Sequence, residues 1–406
     1  MRWQWHFGLG RELGYAFWAL TFFEAVLGAY APIWPVWIER LGAPISIVGL
    51  VLASAGVIRP FVLGPGAALT DRFNTRNVLI VCRTASICGL VIAAFAGTWQ
   101  ILFVTVVLNA LGELAFPTIH AYVADHAGDD PVHAFNMTIT IGPAGGLIVT
   151  PLISGLIIAW GGIEAAFLFS AFLTLCALGF VSRMDFSSTR ASQAGPDERV
   201  TYRKALQHQG IRSLIVLHGA TIAALAIGVA LIPNFLEDER GISPSTIAIL
   251  SSGAALGTVA FGVISSRNRI LRQSPVFAAA LATILVVFGL VIFGTQGALP
   301  LIAIAYVMRG GVFSAWALFL AAMGKVAPVH LRSRGFTVME IIGGGAMSFG
   351  PIVASQLWNI SPTSPLFVAA CLGAVMATIM ILFHRRDARV EPVEQTAAVD
   401  CQLPPL

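Results

Sequence analysis

Apolar residues fill this chain in long blocks separated by short polar turns. Each block reaches roughly 20 residues or more, the length a helix needs to cross a hydrocarbon core of about 30 Å. Twelve such blocks occur, at 12–38, 45–69, 77–97, 100–124, 134–160, 164–183, 211–236, 245–265, 275–295, 299–325, 335–358 and 364–384. None shows the two-residue alternation of a membrane β-barrel strand. The pattern predicts an all-α polytopic membrane protein with twelve transmembrane helices. The first block, Leu13 to Ile38, is longer than a signal-peptide core and counts as a span. The longest polar segment, 184–210, follows the sixth block. It divides the chain into an N-terminal six-helix half (1–183), a cytoplasmic linker (184–210), a C-terminal six-helix half (211–385) and a polar, Pro-containing cytoplasmic tail (386–406) expected to be disordered.

Composition narrows the class further. Of 406 residues, 57% are hydrophobic and 11% charged. A soluble domain carries about 25% charged residues. That deficit excludes a soluble enzyme, a nucleic-acid-binding domain and a disordered chain. The net charge of +4 follows from topology instead. With the N-terminus inside, inner segments take 20 of the 24 Lys and Arg, Arg83 counted among them. Arg40 and Arg240 fall outside, and Arg59 and Arg309 fall within spans. The positive-inside rule then places both termini in the cytoplasm of a cell inner (plasma) membrane. The cysteines Cys82, Cys88, Cys176, Cys371 and Cys401 form no C-x-x-C pair and read as packing residues, with no metal site.

Features recur at an offset of about 200 residues, the signature of a parallel repeat. Pro44 opens span two as Pro244 opens span eight, Gly145 matches Gly345, and Thr150-Pro151 matches Gly350-Pro351. The basic loop Asp71–Arg76 matches Arg267–Arg272 with a small slip. Two six-helix halves related by a pseudo-two-fold axis follow. After span two the chain reads Ala67-Ala-Leu-Thr-Asp71-Arg72-Phe-Asn74-Thr75-Arg76. With six plus six spans, this resembles the major facilitator superfamily (MFS), whose loop motif is G-x-x-x-D-R-x-G-R-R. Asp71, Arg72 and Arg76 match it; Ala67, Asn74 and Thr75 depart from it. The resemblance implies an MFS fold and a gating latch at Asp71, Arg72 and Arg76 against the start of span eleven.

Gly28, Pro32, Trp34-Pro35, Trp37, Leu41-Gly42, Gly49-Leu50 and Arg59, with Gly311-Val-Phe-Ser-Ala-Trp316, are similar to the phenylpropionate-permease-like branch of proton symporters. That branch has a basic residue near the start of span five, where Phe135 and Asn136 stand here. In span five, Gly146-x-x-x-Thr150-Pro151-x-x-Ser154-Gly155 partly matches the drug-antiporter signature of the superfamily. Span eleven carries a similar Gly/Pro pattern, so a bend repeated in both halves also explains it.

Ionisable groups inside a membrane cost about 2.5–3.5 kcal/mol each on insertion scales and mark function. Counting along the spans puts Glu24, Glu113 and Arg309 near mid-membrane on spans one, four and ten. The resemblance implies that these spans line a central cavity. Asn109, Glu113, Phe116 and His120 share one face of span four; Tyr306, Arg309, Phe313 and Trp316 share one face of span ten. Substrate-binding candidates are therefore Asn109, Glu113, Tyr306, Arg309, Phe313 and Trp316. Arg309 can anchor a carboxylate; alternatively, Glu113 and Arg309 neutralise each other. Proton-coupling candidates are Glu24 and Glu113. Arg59 and Glu340 join the gating set as a salt bridge between spans two and eleven that makes or breaks as the halves rock. His120 and His218 read as structural.

The chain holds no G-x-x-x-x-G-K-[ST] loop and no H-E-x-x-H motif. The reading is a secondary active transporter and not an enzyme, with no cofactor. Its expected partners are a small-molecule substrate, protons and the lipid bilayer, and it is expected to be a monomer. Proton-coupled import is the first reading. Proton-driven export of drugs or metabolites is the alternative, and a membrane sensor or enzyme is a third.

Overall fold

The computed structural model describes residues 5–127, 131–186 and 206–400, without the side chains of residues 60, 63–72, 117, 131–132, 329–330, 333 and 385–400. Among the described residues there is no strand. The first half is built from α1 (Arg11–Tyr30), α2 (Trp34–Arg40), α3 (Ile45–Arg72), α4 (Thr75–Ala94), α5 (Leu102–Gly112), α6 (Ala115–His126), α7 (Pro131–Phe135) and α8 (Gly142–Val181). The second half is built from α9 (Gln209–Val229), α10 (Ile232–Asp238), α11 (Pro244–Arg267), α12 (Arg269–Gln273), α13 (Pro275–Thr295), α14 (Leu299–Arg309), α15 (Gly311–Val326), α16 (Val329–Trp358) and α17 (Ser364–His384).

Nine described helices are long and apolar enough to cross a membrane. One of them, His133–Val181, bends at Gly162 and contains two spans; Ile45–Arg59 and Trp99–Gly112 supply shorter apolar stretches. The twelve expected spans are thus all present. Gly162 makes the turn between spans five and six with φ 75° and ψ 179°, a conformation open essentially to glycine alone.

The repeat is visible in where helices break. Span one breaks at Ala31–Ile33 and span seven at Ala230–Leu231, with Pro32, Pro35 and Pro233 beside the breaks. Span four breaks after Gly112 and span ten after Arg309, so α5 and α14 have the same length of 11 residues. At the second of these, Gly310 is wedged against span eight. A Cβ there would lie 2.2 Å from the Ala254 carbonyl oxygen, and the Thr258 hydroxyl donates to the Gly310 carbonyl at 2.9 Å.

With twelve crossings the two chain ends share one side, called here the terminal end; the other is the distal end. The apolar core differs between them. At the distal end a single cluster joins both halves, from Val36 and Val51 through Phe167 to Phe235, Ile247 and Leu366. At the terminal end each half has its own cluster: Leu20, Ile119 and Val181 in the first, Leu214, Phe319 and Met339 in the second. The halves therefore meet distally and part towards the termini.

Small residues make the distal contact close. A Cβ on Gly49 would stand 2.5 Å from the Pro351 carbonyl oxygen and 2.7 Å from Ser355 Cβ, so spans two and eleven touch backbone to backbone. A Cβ on Gly155 would stand 2.7 Å from the Ser245 carbonyl oxygen, and Ser245 donates to the Gly155 carbonyl at 2.8 Å, joining spans five and eight. Polar contacts complete the clasp. Arg40 forms an ion pair with Glu237, and Asn234 donates to Glu39 and, at 3.2 Å, to the Pro35 carbonyl.

Candidate transport site

Span one is held against span five by glycine packing. A Cβ on Gly146 would lie 2.6 Å from the Thr21 carbonyl oxygen, and one on Gly28 would lie 3.2 Å from the Pro151 ring. Ser154 donates to the Ala29 carbonyl at 2.6 Å. The side of α1 that carries Glu24 is thereby fixed one turn before Gly28. Glu24 makes no ion pair or hydrogen bond with any described residue.

The Arg59–Glu340 bridge is not made in this structure. Arg59 Nε instead sits 2.7 Å from Glu113 Oε2. The reason lies in helix lengths. α3 continues to Arg72, so Arg59 stands thirteen residues, about 20 Å, from the terminal end of its helix. Glu24 stands thirteen residues after Arg11, and Glu113 thirteen before His126, which puts all three at one level. Glu340 Oε1 instead accepts from Trp316 Nε1 at 2.9 Å. Glu113 and Arg309 do not neutralise each other either. Arg309 makes no ion pair with a described carboxylate, and its guanidinium carbon lies 5.9 Å from the Tyr306 ring centre.

The two predicted faces are interrupted at the helix breaks. Glu113 occupies the turn between α5 and α6, off the regular 3.6-residue period. Asn109 accepts a hydrogen bond from Ser86 at 2.8 Å, and Phe116 contacts His120 at 6.4 Å between ring centres. On span ten, Tyr306 is buried against Phe293, and its hydroxyl has no partner among the described residues. Phe313, beyond the break at Gly310, is 59% exposed. Trp316 meets the buried ring of His218 edge-on at 4.9 Å.

Arg83 is the residue that sequence reasoning missed. The charge count places it among the inner segments, yet it lies eight residues into α4, about 12 Å from the helix start. It is only 5% exposed, with its guanidinium carbon 3.2 Å from the Phe23 ring centre and 5.5 Å from that of Phe116. Glu24 and Glu113 both act on it electrostatically. Its Nε and Nη2 have no hydrogen-bond partner among the described residues. The signal was available, because span three was expected to start at 77. Four charges thus gather beside the break in span four: Arg59, Glu113, Arg83 and Glu24.

Of the loop-motif residues, the side chains of Asp71 and Arg72 lie outside the described residues. Arg76 is exposed at the start of α4, where its backbone N–H donates to the capping Asn74 side chain at 3.0 Å. Arg76 lines a cavity of about 490 Å³ with Asn74, Thr75 and Arg183–Phe186 at the terminal end, away from the charge cluster. Most of the linker 184–210 and the side chains of the tail lie outside the described residues.

Twelve spans in two like halves, parted at one end around buried charge, define a membrane transporter. The model of the Major Facilitator Superfamily matches residues 16–351, and the chain belongs to that family. It is 28% identical over 163 residues to the tetracycline resistance protein, class C, of Escherichia coli; that stretch is 38% of this chain and 40% of the relative. The fold is similar to a mutant of the nucleoside transporter NupG (TM-score 0.77, 15% identity, 90% of this chain and 98% of that one). It is also similar to a POT family transporter in complex with 5-aminolevulinic acid (TM-score 0.71, 14% identity, 92% and 96%).

Proposed function

We propose that the protein is a proton-coupled symporter that imports a small organic solute by alternating access, acting as a monomer with both termini in the cytoplasm. The observation that carries this reading is the charge cluster Arg59–Glu113–Arg83–Glu24 beside the break of span four, at the level where the halves begin to part. Half-buried carboxylates next to arginines are groups that a proton or an anion can bind in exchange. Glu24 and Glu113 are the proton carriers in this scheme. Asn109, Glu113 and Arg309 approach the solute, with Phe313 and Trp316 contributing aromatic surface and Tyr306 supporting from beneath. Asp71, Arg72, Arg76, Arg59 and Glu340 belong to the gating machinery.

The test is uptake into proteoliposomes under an imposed pH gradient, over a solute panel, with Glu24→Gln, Glu113→Gln and Arg309→Ala. Accumulation abolished by a protonophore and by these variants is expected. Accumulation at wild-type level in all three would remove the site.

A second reading, proton-driven export, is favoured by the tetracycline resistance relative and by the partial antiporter pattern from Gly146 to Gly155 in span five. In everted vesicles an exporter takes up its solute when the lumen is acid, whereas a symporter drains it.

A further inference from the structure

We propose that the Nε–Nη2 edge of Arg83 is the seat of a substrate carboxylate and that Glu24 carries the proton that travels with it, a proposal that rests on the symport reading above. Burying unpartnered donors is costly, so this edge is built for something that arrives. Arg83 is 5% exposed, and both Nε and Nη2 lack partners among the described residues. These two atoms form the side-on fork of the guanidinium, which receives both oxygens of a carboxylate in parallel hydrogen bonds.

The surroundings narrow the ligand. The guanidinium lies over Phe23, and Phe23 and Phe116 stand 5.6 Å apart between ring centres. A ligand reaching the fork therefore has apolar aromatic walls beside its charged end, which fits a flat aromatic monocarboxylate. Span four approaches Arg83 because residue 112 is glycine. A Cβ there would lie 3.0 Å from Ser86 Cβ and 3.6 Å from Arg83 Nη1. The fork opens to a ligand through movement at the adjoining break, Glu113–Leu114.

Charge bookkeeping assigns the proton. Arg59 and Arg83 carry two positive charges, and Glu24 and Glu113 two negative ones. An added carboxylate leaves one buried negative charge unless a proton enters too. Glu113 is engaged by Arg59, whereas Glu24 has no partner among the described residues, so Glu24 takes the proton. The charged groups that act on Glu24 are Arg83 on α4 and Glu113 at the break; Arg59 on α3 pairs with that Glu113, and His120 on α6 stands against Phe116. The one carboxylate on α8, Glu164, lies beyond the bend at Gly162. One proton per carboxylate makes the transport electroneutral.

The probes are benzoate and its neutral analogue benzamide, applied to the purified full-length protein by titration calorimetry and thermal unfolding. Benzoate is expected to bind and raise the melting temperature, and benzamide is not. Arg83→Gln weakens benzoate about tenfold or more, and Arg83→Lys, which keeps the charge but loses the fork, weakens it less. If Arg83→Gln does not fold, Arg83→Lys and the benzoate–benzamide contrast decide. Equal affinity in wild type and variant, equal binding of both probes, or no benzoate binding to the wild type overturns the seat.

In proteoliposomes, with protein-free vesicles as blank, pH-driven benzoate uptake that ignores an imposed potassium–valinomycin potential supports one proton per carboxylate, and loss of that pH drive in Glu24→Gln but not in variants outside the cluster places it on Glu24. Uptake that follows the potential overturns it. Arg83-dependent binding without any pH-driven flux would sink the symport reading and leave the seat standing. Flux of a panel solute unaffected in Arg83→Gln would do the reverse.

Discussion

Gly49→Ala puts the distal contact between the halves under direct strain. The added methyl would stand 2.5 Å from the Pro351 carbonyl oxygen, 2.6 Å from Ser355 Oγ and 2.7 Å from Ser355 Cβ. Rotating the serine hydroxyl away relieves one of these contacts; the backbone carbonyl cannot rotate away. Spans two and eleven must separate by roughly 1 Å to restore ordinary contact near 3.5 Å. Overpacking of this kind costs about 1–3 kcal/mol. If alternating access separates the two spans when the distal side opens, the cost falls on the distally closed state alone. The equilibrium then moves about 5- to 140-fold towards distal opening, since 1.4 kcal/mol is a factor of ten. Spin labels at Gly97→Cys and Gly297→Cys, in the distal loops of the two halves, report the change in a background free of the native cysteines. A longer-distance population is expected in the Gly49→Ala protein. An unchanged distance distribution in a folded, monodisperse variant refutes the reasoning.

Three further outcomes are expected. Arg59→Gln and Glu113→Gln each lower transport about tenfold or more while changing the melting free energy by less than about 1 kcal/mol, because the pair is 51% and 38% exposed; the swap Arg59→Glu with Glu113→Arg recovers part of the transport, and a swap no better than the singles counts against the pair. Glu237→Gln removes the ion pair with Arg40 and shifts the same spin-label distances outward by less than Gly49→Ala does, again because the pair is part-exposed. Gly162→Ala must hold φ 75° and ψ 179° with a Cβ 2.5 Å from Glu164 Oε2, so about 1–3 kcal/mol of stability is lost, read as a lower melting temperature in detergent; an unchanged melting temperature argues against the strained turn.

The spans were legible because membrane crossing leaves a long-range mark in apolar length. All twelve blocks became helices, but the recurrence of Pro44 at Pro244 and of Pro151 at Pro351 marks helix starts and unbroken helices, so the shared breaks in spans one, four, seven and ten were not legible from it. Partners inside the bundle were not legible. Arg59 and Glu340 were matched by counting depth from assumed span ends, and α3 runs three residues past its assumed end at 69. Glu113 and Tyr306 were placed on regular faces, but a break displaces the first and burial removes the second from any shared surface. Arg83 was hidden by a charge rule that sorts arginines by loop and says little of one whose guanidinium is buried within a span. The clasp of Arg40, Glu237, Asn234 and Glu39 joins residues nearly two hundred positions apart, a distance that no local pattern bridges.

The breaks in spans four and ten occupy equivalent positions, yet they have different neighbours. At Gly310 the backbone is clamped by Ala254 and Thr258, and any side chain there collides. At Glu113 the same place holds a solvent-touched carboxylate paired with Arg59. One joint has become a rivet and its twin a workbench. Random variation at the riveted joint should yield misfolded protein, whereas variation around residues 109–116 should yield folded protein with altered preferences. New solute specificities would then arise in the first half of the duplicated chain while the second half keeps the frame true.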